Sequence, residues 1–188
     1  EAANHFQGES FGTKEIEQIL RDMRREKENI ILIGMPGVGK TTVGKALGEE
    51  MGRTCVDVDH ELEKEIGDIS TYITEQGEPA FREKEAEVIA KFGTQTGLII
   101  STGGGCVTVP KNFAHLRQNG RIYQLTQPIE NLSTTGRVLS SGGLDRLREL
   151  EEIRTPMYES FAQCIVEHNR NAPETVSAIL EDFEANLL

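Results

Sequence analysis

The chain has 188 residues, 37% hydrophobic and 27% charged, and its 20 Lys and Arg against 31 Asp and Glu leave a net charge of −11. That size and mix suit one domain with a sizeable core, and the acidic balance argues against a nucleic-acid-binding face, which needs clustered cations. Three widely spaced cysteines, Cys55, Cys106 and Cys164, without a CxxC pair, point to neither a disulfide framework nor a zinc site; with no membrane-length apolar run and no signal-peptide core, a cytoplasmic protein is expected.

Residues 1–12 are polar and glycine-containing, and residues 14–27 carry Ile16, Ile19, Leu20 and Met23 at helical spacing inside a charged segment. The first residue is Glu, not Met. Residues 1–28 therefore read as an extension with a short amphipathic helix, either a linker from something upstream or an unstructured tail.

A short apolar run follows at residues 30–33 and reads as a strand. It leads into Gly34-Met35-Pro36-Gly37-Val38-Gly39-Lys40-Thr41, which fits the phosphate-loop pattern GxxxxGK[ST] without a mismatch, and residues 42–51 read as a helix. Glycines let the backbone turn tightly and aim successive N–H groups at phosphate oxygens, where the helix adds the positive end of its dipole. Lys40 would bridge the β and γ phosphates of a bound nucleoside triphosphate, and the Thr41 hydroxyl suits one oxygen position on Mg²⁺. The competing reading is a glycine-rich turn with an incidental lysine.

The next strand, residues 54–58, runs into Asp57 and Asp59. On a regular strand, positions two apart face the same way, so both carboxylates would face the phosphate-bearing cleft. One can hold magnesium through water, and the other can accept from a substrate hydroxyl. Capping of a helix at His60 is the alternative.

The run 77–85 joins a turn to a helix, with Arg82 and Glu85 one helical turn apart. Glu85 could orient the Arg82 guanidinium toward a carboxylate, but spacing alone favours a solvated surface pair. The next strand, residues 97–101, ends in Ser101-Thr102-Gly103-Gly104-Gly105. Three side-chain-free residues there either let a small polar ligand approach the backbone or form a flexible turn.

Further strands at residues 121–125 and 164–166, alternating with helical runs, predict a mostly parallel five-stranded sheet with helices on both faces, and ligands bind at the carboxyl edge of such sheets. The glycine- and serine-bearing stretch 133–143 reads as a mobile loop. His5, His60, His115 and His168 are scattered and receive no role. The cysteines read as small buried hydrophobes, with Cys106 close enough to the glycine triplet for alkylation to matter.

The phosphate loop, the Asp57-x-Asp59 pair, Gly77-Glu78 with Phe81-Arg82 and Glu85, the Gly103–Gly105 triplet, Arg137, and Arg154-Thr155-Pro156-Met157-Tyr158, in that order, resemble shikimate kinase from residue 29 onward. The resemblance implies a three-layer α/β/α P-loop fold over 29–188 with a mobile lid at about 128–146. It implies transfer of the ATP γ-phosphate to the 3-hydroxyl of shikimate, giving shikimate 3-phosphate and ADP on the way to chorismate and the aromatic amino acids.

By position, Asp59, Arg82 and Arg154 match the family's shikimate contacts, together with Gly103, Gly104 and Gly105. Gly37, Val38, Gly39, Lys40, Thr41 and Thr42 would cradle ATP, with Arg170 and Pro173 at the adenine. Thr41 and Asp57 would serve Mg²⁺. Lys40 and Arg137 would neutralise the transferring phosphoryl group, and Asp59 is the candidate base.

Two departures stand out: Arg137-Val138-Leu139-Ser140 replaces the family's usual Arg-Pro-Leu-Leu lid, and residues 131–136 lack the usual adenine-stacking arginine. They leave open a nucleotide-binding regulatory module. A kinase for another polyol acid such as gluconate is the other alternative. A monomer is expected, and fusion to another enzyme of the same pathway would account for the extension.

Overall fold

A computed structural model describes residues 12–132, 143–169 and 171–187. Its centre is β1 (Asn29–Gly34), whose six residues are all buried. A strand covered on both faces needs apolar side chains at every position, which explains the unbroken Ile30-Ile31-Leu32-Ile33 run. Around it lies a five-stranded parallel sheet in the order β2 (Cys55–Asp57), β3 (Ile99–Ser101), β1, β4 (Gly120–Thr126), β5 (Cys164–Glu167). Register is set by pairs such as Ile30 with Ile99 and with Arg121, and Leu32 with Ser101 and with Tyr123.

The sheet order is discontinuous at β1. The chain passes from β1 out to β2, back to β3, and then across β1 to β4. This reversal places loops from both halves over the carboxyl end of β1, the position where ligands bind in open α/β sheets.

The connecting helices are α2 (Lys40–Met51), α3 (Val58–Ile66), α4 (Ile69–Gly93), α5 (Lys111–Arg117), α6 (Gly143–Phe161) and α7 (Ala172–Ala185). Tyr123, Tyr158 and Phe183 are the largest side chains fully enclosed by these layers. Inside α4, Gly77 is non-helical at φ 85° and ψ 159°, so the helix is two segments joined at a kink, and Pro79 falls in the first turn of the second, where its missing N–H costs nothing.

Two strands are shorter than expected. Residue 58 already belongs to α3, which truncates the 54–58 strand to Cys55–Asp57, and Gly97 at φ 74° is a turn residue rather than the start of β3.

The predicted amphipathic helix is α1 (Thr13–Lys27), and none of its residues is buried. It is tied to the body by the Arg25–Glu184 ion pair at 2.7 Å, by Arg24 donating to the Leu187 carbonyl at 3.3 Å, and by the Gly97 N–H donating to the Lys27 carbonyl at 2.8 Å. Its apolar stripe of Ile16, Ile19, Leu20 and Met23 stays about half exposed, between 47% and 55%.

Candidate active site

The phosphate loop runs from the end of β1 to Gly39, which caps α2 in a left-handed conformation at φ 97°. Gly37 at φ 87° and Gly34 at φ 140° also have positive φ, so all three of the motif's glycines supply backbone geometry that other residues adopt only with strain. Val38 is fully buried and therefore offers the loop its backbone alone, whereas Thr42 is exposed. Lys40 is only 5% exposed, and its ammonium donates back across the loop to the carbonyls of Gly34 at 2.8 Å and Met35 at 3.0 Å.

Thr41 and Asp57 meet, the hydroxyl donating to Asp57 Oδ2 at 2.6 Å. The other oxygen of Asp57 accepts the His60 N–H at 3.2 Å and caps α3. Capping and proximity to the phosphate loop are thus one arrangement, not alternatives. The expectation that Asp57 and Asp59 share a strand face is corrected: β2 ends at Asp57, and Asp59 lies in the first turn of α3.

Asp59 nevertheless reaches the cleft. A Cβ built on Gly103 would lie 2.8 Å from Asp59 Oδ1 and 2.5 Å from Glu85 Oε1. One on Gly104 would lie 2.7 Å from the Pro36 ring, and one on Gly105 would run into the Arg82 guanidinium. The triplet is therefore a floor on which two carboxylates, an arginine and the phosphate loop converge, and any side chain there would fill the space. The flexible-turn reading does not hold.

The expected surface pair is also corrected. Glu85 is 0% exposed and Arg82 9%; Arg82 Nη1 donates to Glu85 Oε2 at 2.7 Å, while Nη2 donates to Glu78 Oε1 at 2.9 Å. Burial pushes the Glu85 carboxyl above its usual range, against the opposing pull of the Arg82 guanidinium. For Arg82, burial disfavours the cation, but Glu85 and Glu78 more than offset it and hold the proton on. Glu85 Oε1 is buried without a hydrogen-bond partner among the described residues. Such an atom is costly unless a ligand or water donates to it.

On the far wall, Arg154 of α6 is buried and its Nη1 donates to the Gly104 carbonyl at 3.1 Å, as does the Tyr158 hydroxyl one turn later. The Pro156 between them thus lies inside α6, in a segment whose two flanking side chains grip the same carbonyl. Tyr158 escaped the sequence reading as a site residue, and Glu85 entered it only as an orienting partner for Arg82, set behind a surface pair. The signal for Tyr158 was present, since it stands four positions after Arg154 on one helix face.

Pro173 lies in the first turn of α7, behind the Asn171 cap. Arg137 and Arg170 lie outside the described residues.

Cys106 adjoins the triplet but is fully enclosed, and burial pushes its thiol up to about 12. A thiol in that state has almost no thiolate at neutral pH. The expected alkylation is corrected accordingly: folded protein treated with iodoacetamide at pH 7.5 should carry no label on Cys106, and peptide mass spectrometry showing rapid labelling there would contradict the burial. Cys55 and Cys164 are only partly buried.

A parallel α/β sheet whose central strand feeds a complete phosphate loop, beside a cleft holding buried arginines and carboxylates, defines a P-loop phosphotransferase acting on a small anionic acceptor. The family model for shikimate kinase matches residues 36–184. The shikimate kinase of Thiobacillus denitrificans is 37% identical over 163 residues, 82% of this chain and 89% of that protein. That of Acinetobacter baylyi is 39% identical over 152 residues, 77% of this chain and 84% of that protein. Among solved structures, shikimate kinase from Acinetobacter baumannii in complex with shikimate superposes with a TM-score of 0.82 at 32% identity, covering 88% of this chain and 98% of that one. The chain belongs to the shikimate kinase family.

Proposed function

We infer that this protein transfers the γ-phosphoryl group of ATP to the 3-hydroxyl of shikimate, yielding shikimate 3-phosphate and ADP for aromatic amino acid biosynthesis. The observation that carries this reading is the convergence of Asp59, Glu85, Arg82 and Arg154 on the Gly103–Gly105 floor, against Pro36 of the phosphate loop. Shikimate is an anion with three hydroxyls. Two arginine forks suit its carboxylate, and a carboxylate suits its hydroxyl donors. Asp59 takes one of those hydroxyls, while the enclosed Glu85 holds the Arg82 fork in place.

In this scheme Lys40 exchanges two neutral carbonyls for phosphate oxygens, a gain in charge-assisted bonding at no cost in reach. The Thr41 hydroxyl and Asp57 carboxylate form a hard-oxygen pair that fits Mg²⁺, an ion that keeps several waters and uses few protein ligands. When bound, it neutralises charge on the β and γ phosphates. Because the transition state is loose, with charge spread over the phosphoryl oxygens, Asp59 acts mainly by orienting the attacking hydroxyl and then receives its proton.

Arg137 completes the charge neutralisation from a lid at about 128–146, and Arg170 and Pro173 flank the adenine; these roles rest on position in the family pattern. The kinase domain spans 29–188, with 1–28 as an N-terminal extension or linker. No helix among the described residues is long and apolar enough to cross a membrane. A cytoplasmic monomer completes the proposal.

Asp59→Asn keeps the shape but removes the proton acceptor, and is expected to lower kcat about 10²- to 10³-fold while leaving the KM for ATP within about twofold. Initial rates of ADP release check this. The reaction itself is tested by product identity. Phosphorus and proton NMR of the reaction mixture should show one phosphate ester, on the 3-position of shikimate; an ester elsewhere, or free phosphate alone, would sink the assignment.

A further inference from the structure

His168 follows β5 directly and is 6% exposed, yet it has no part in the chemistry above. Its backbone N–H donates to the Thr126 carbonyl at 2.7 Å, which continues the parallel pairing of β4 and β5 past the strand end. Its Nδ1 lies 2.8 Å from the Thr175 hydroxyl, and that hydroxyl in turn donates to the Asn171 carbonyl at 3.0 Å. A hydroxyl has one hydrogen. Since it is used on Asn171, Thr175 must accept from His168, so Nδ1 carries its hydrogen whether the ring is neutral or charged.

The latch fixes the ring plane and directs the opposite edge of the ring. That edge faces the phosphate loop: a Cβ built on Gly39 would lie 2.7 Å from His168 Nε2 and 2.9 Å from Cδ2. Gly39 is the left-handed residue that turns the loop into α2, so its backbone determines where the last N–H groups of the loop point. Burial holds the imidazole pKa below its ordinary value and favours the neutral ring.

We propose that His168 is a positioning residue for ATP: latched to Thr175 through Nδ1, it braces Gly39 with its Nε2 edge and holds the phosphate loop in the posture that receives the phosphates. The proposal rests on reading that loop as the ATP site. It also joins the two ends of the nucleotide site, because the Asn171 cap and Thr175 begin the helix that carries Pro173. Without the brace, Gly39 can leave its left-handed conformation, and part of the phosphate binding energy is then used to restore it.

The test uses His168→Ala, Thr175→Val and Thr175→Ser in the whole chain, with two measurements. In steady-state assays, His168→Ala and Thr175→Val should raise the KM for ATP about tenfold, roughly the effect of losing one orienting hydrogen bond. Both should leave the KM for shikimate and kcat at saturating ATP within about twofold, and Thr175→Ser, which keeps the hydroxyl, should restore the wild-type KM. Calorimetric titration with MgADP should show the same order of affinities. This second measurement needs no phosphoryl transfer, so a failure of shikimate turnover would count against the reaction and still leave the brace decided by ADP affinity. Should His168→Ala fail to fold, the Thr175 pair decides alone. A lowered melting temperature with unchanged ATP KM and ADP affinity, or equal effects on ATP and shikimate KM, would overturn the proposal.

Discussion

Lys40→Ala is expected to lower kcat by at least about a thousandfold, because one buried cation is asked to offset charge spread over the transferring phosphoryl group. In a chain of net charge −11 an anion needs local cations, and Lys40 is nearly enclosed with its ammonium held on the loop's own Gly34 carbonyl. Nothing else among the described residues of the loop is cationic. The cost in stability should be about 1–3 kcal/mol, since the substitution removes two buried hydrogen bonds to the Gly34 and Met35 carbonyls. Lys40→Arg should fail nearly as badly, because a planar fork does not fit the space of a compact ammonium. Initial rates and thermal melts measured on the same samples separate the two effects. Turnover within tenfold of wild type would remove Lys40 from the mechanism.

Arg82→Ala should act on both binding and folding. Its guanidinium stands beside Gly105, ion-paired with Glu85 and Glu78 and stacked over Phe81 at 4.9 Å. Loss of one carboxylate-binding fork should raise the KM for shikimate about a hundredfold, with little change for ATP. The same change strands the Glu85 carboxylate in the interior, and breaking a buried pair this way costs about 3–5 kcal/mol.

The two effects can be told apart by pH. Burial already raises the Glu85 carboxyl, and without Arg82 its folded pKa rises further above the unfolded value. A carboxyl raised in the folded state contributes its stability below the unfolded pKa and loses it as pH climbs through the folded pKa. The stability deficit of Arg82→Ala should therefore be larger at pH 8 than at pH 5. The double variant Arg82→Gln with Glu85→Gln should recover most of the stability while keeping the high shikimate KM. Recovery of both together would mean that Arg82 is only structural.

The phosphate loop and the sheet were legible because each is local: a spacing of glycines, and runs of β-branched residues at intervals that only βα repeats produce. Asp59 was misplaced because a period of two holds only while the strand lasts. Asp57 stops the strand by capping α3, and the next residues follow helical geometry.

Glu85 illustrates a different limit. An Arg and a Glu three apart on a helix look the same whether that face meets water or protein, and here the difference is made by Gly103 to Gly105, about twenty residues later, folding over them. His168 is harder still, since its contact with Gly39 exists only because the sheet order brings the end of β5 back toward the loop after β1. Arg137 and Arg170 fall outside the described residues, and the roles proposed for them rest on sequence pattern.

We propose that the floor of glycines, arginines and carboxylates selects shikimate as the acceptor for the phosphate loop's ATP. This selectivity is tested most directly by ADP release from MgATP with shikimate, quinate, gluconate or no acceptor, using Lys40→Ala to exclude a contaminating kinase. Rapid turnover is expected with shikimate, little with the other two, and none in the variant. ATP binding without turnover on any acceptor, or turnover on gluconate equal to that on shikimate, would contradict it.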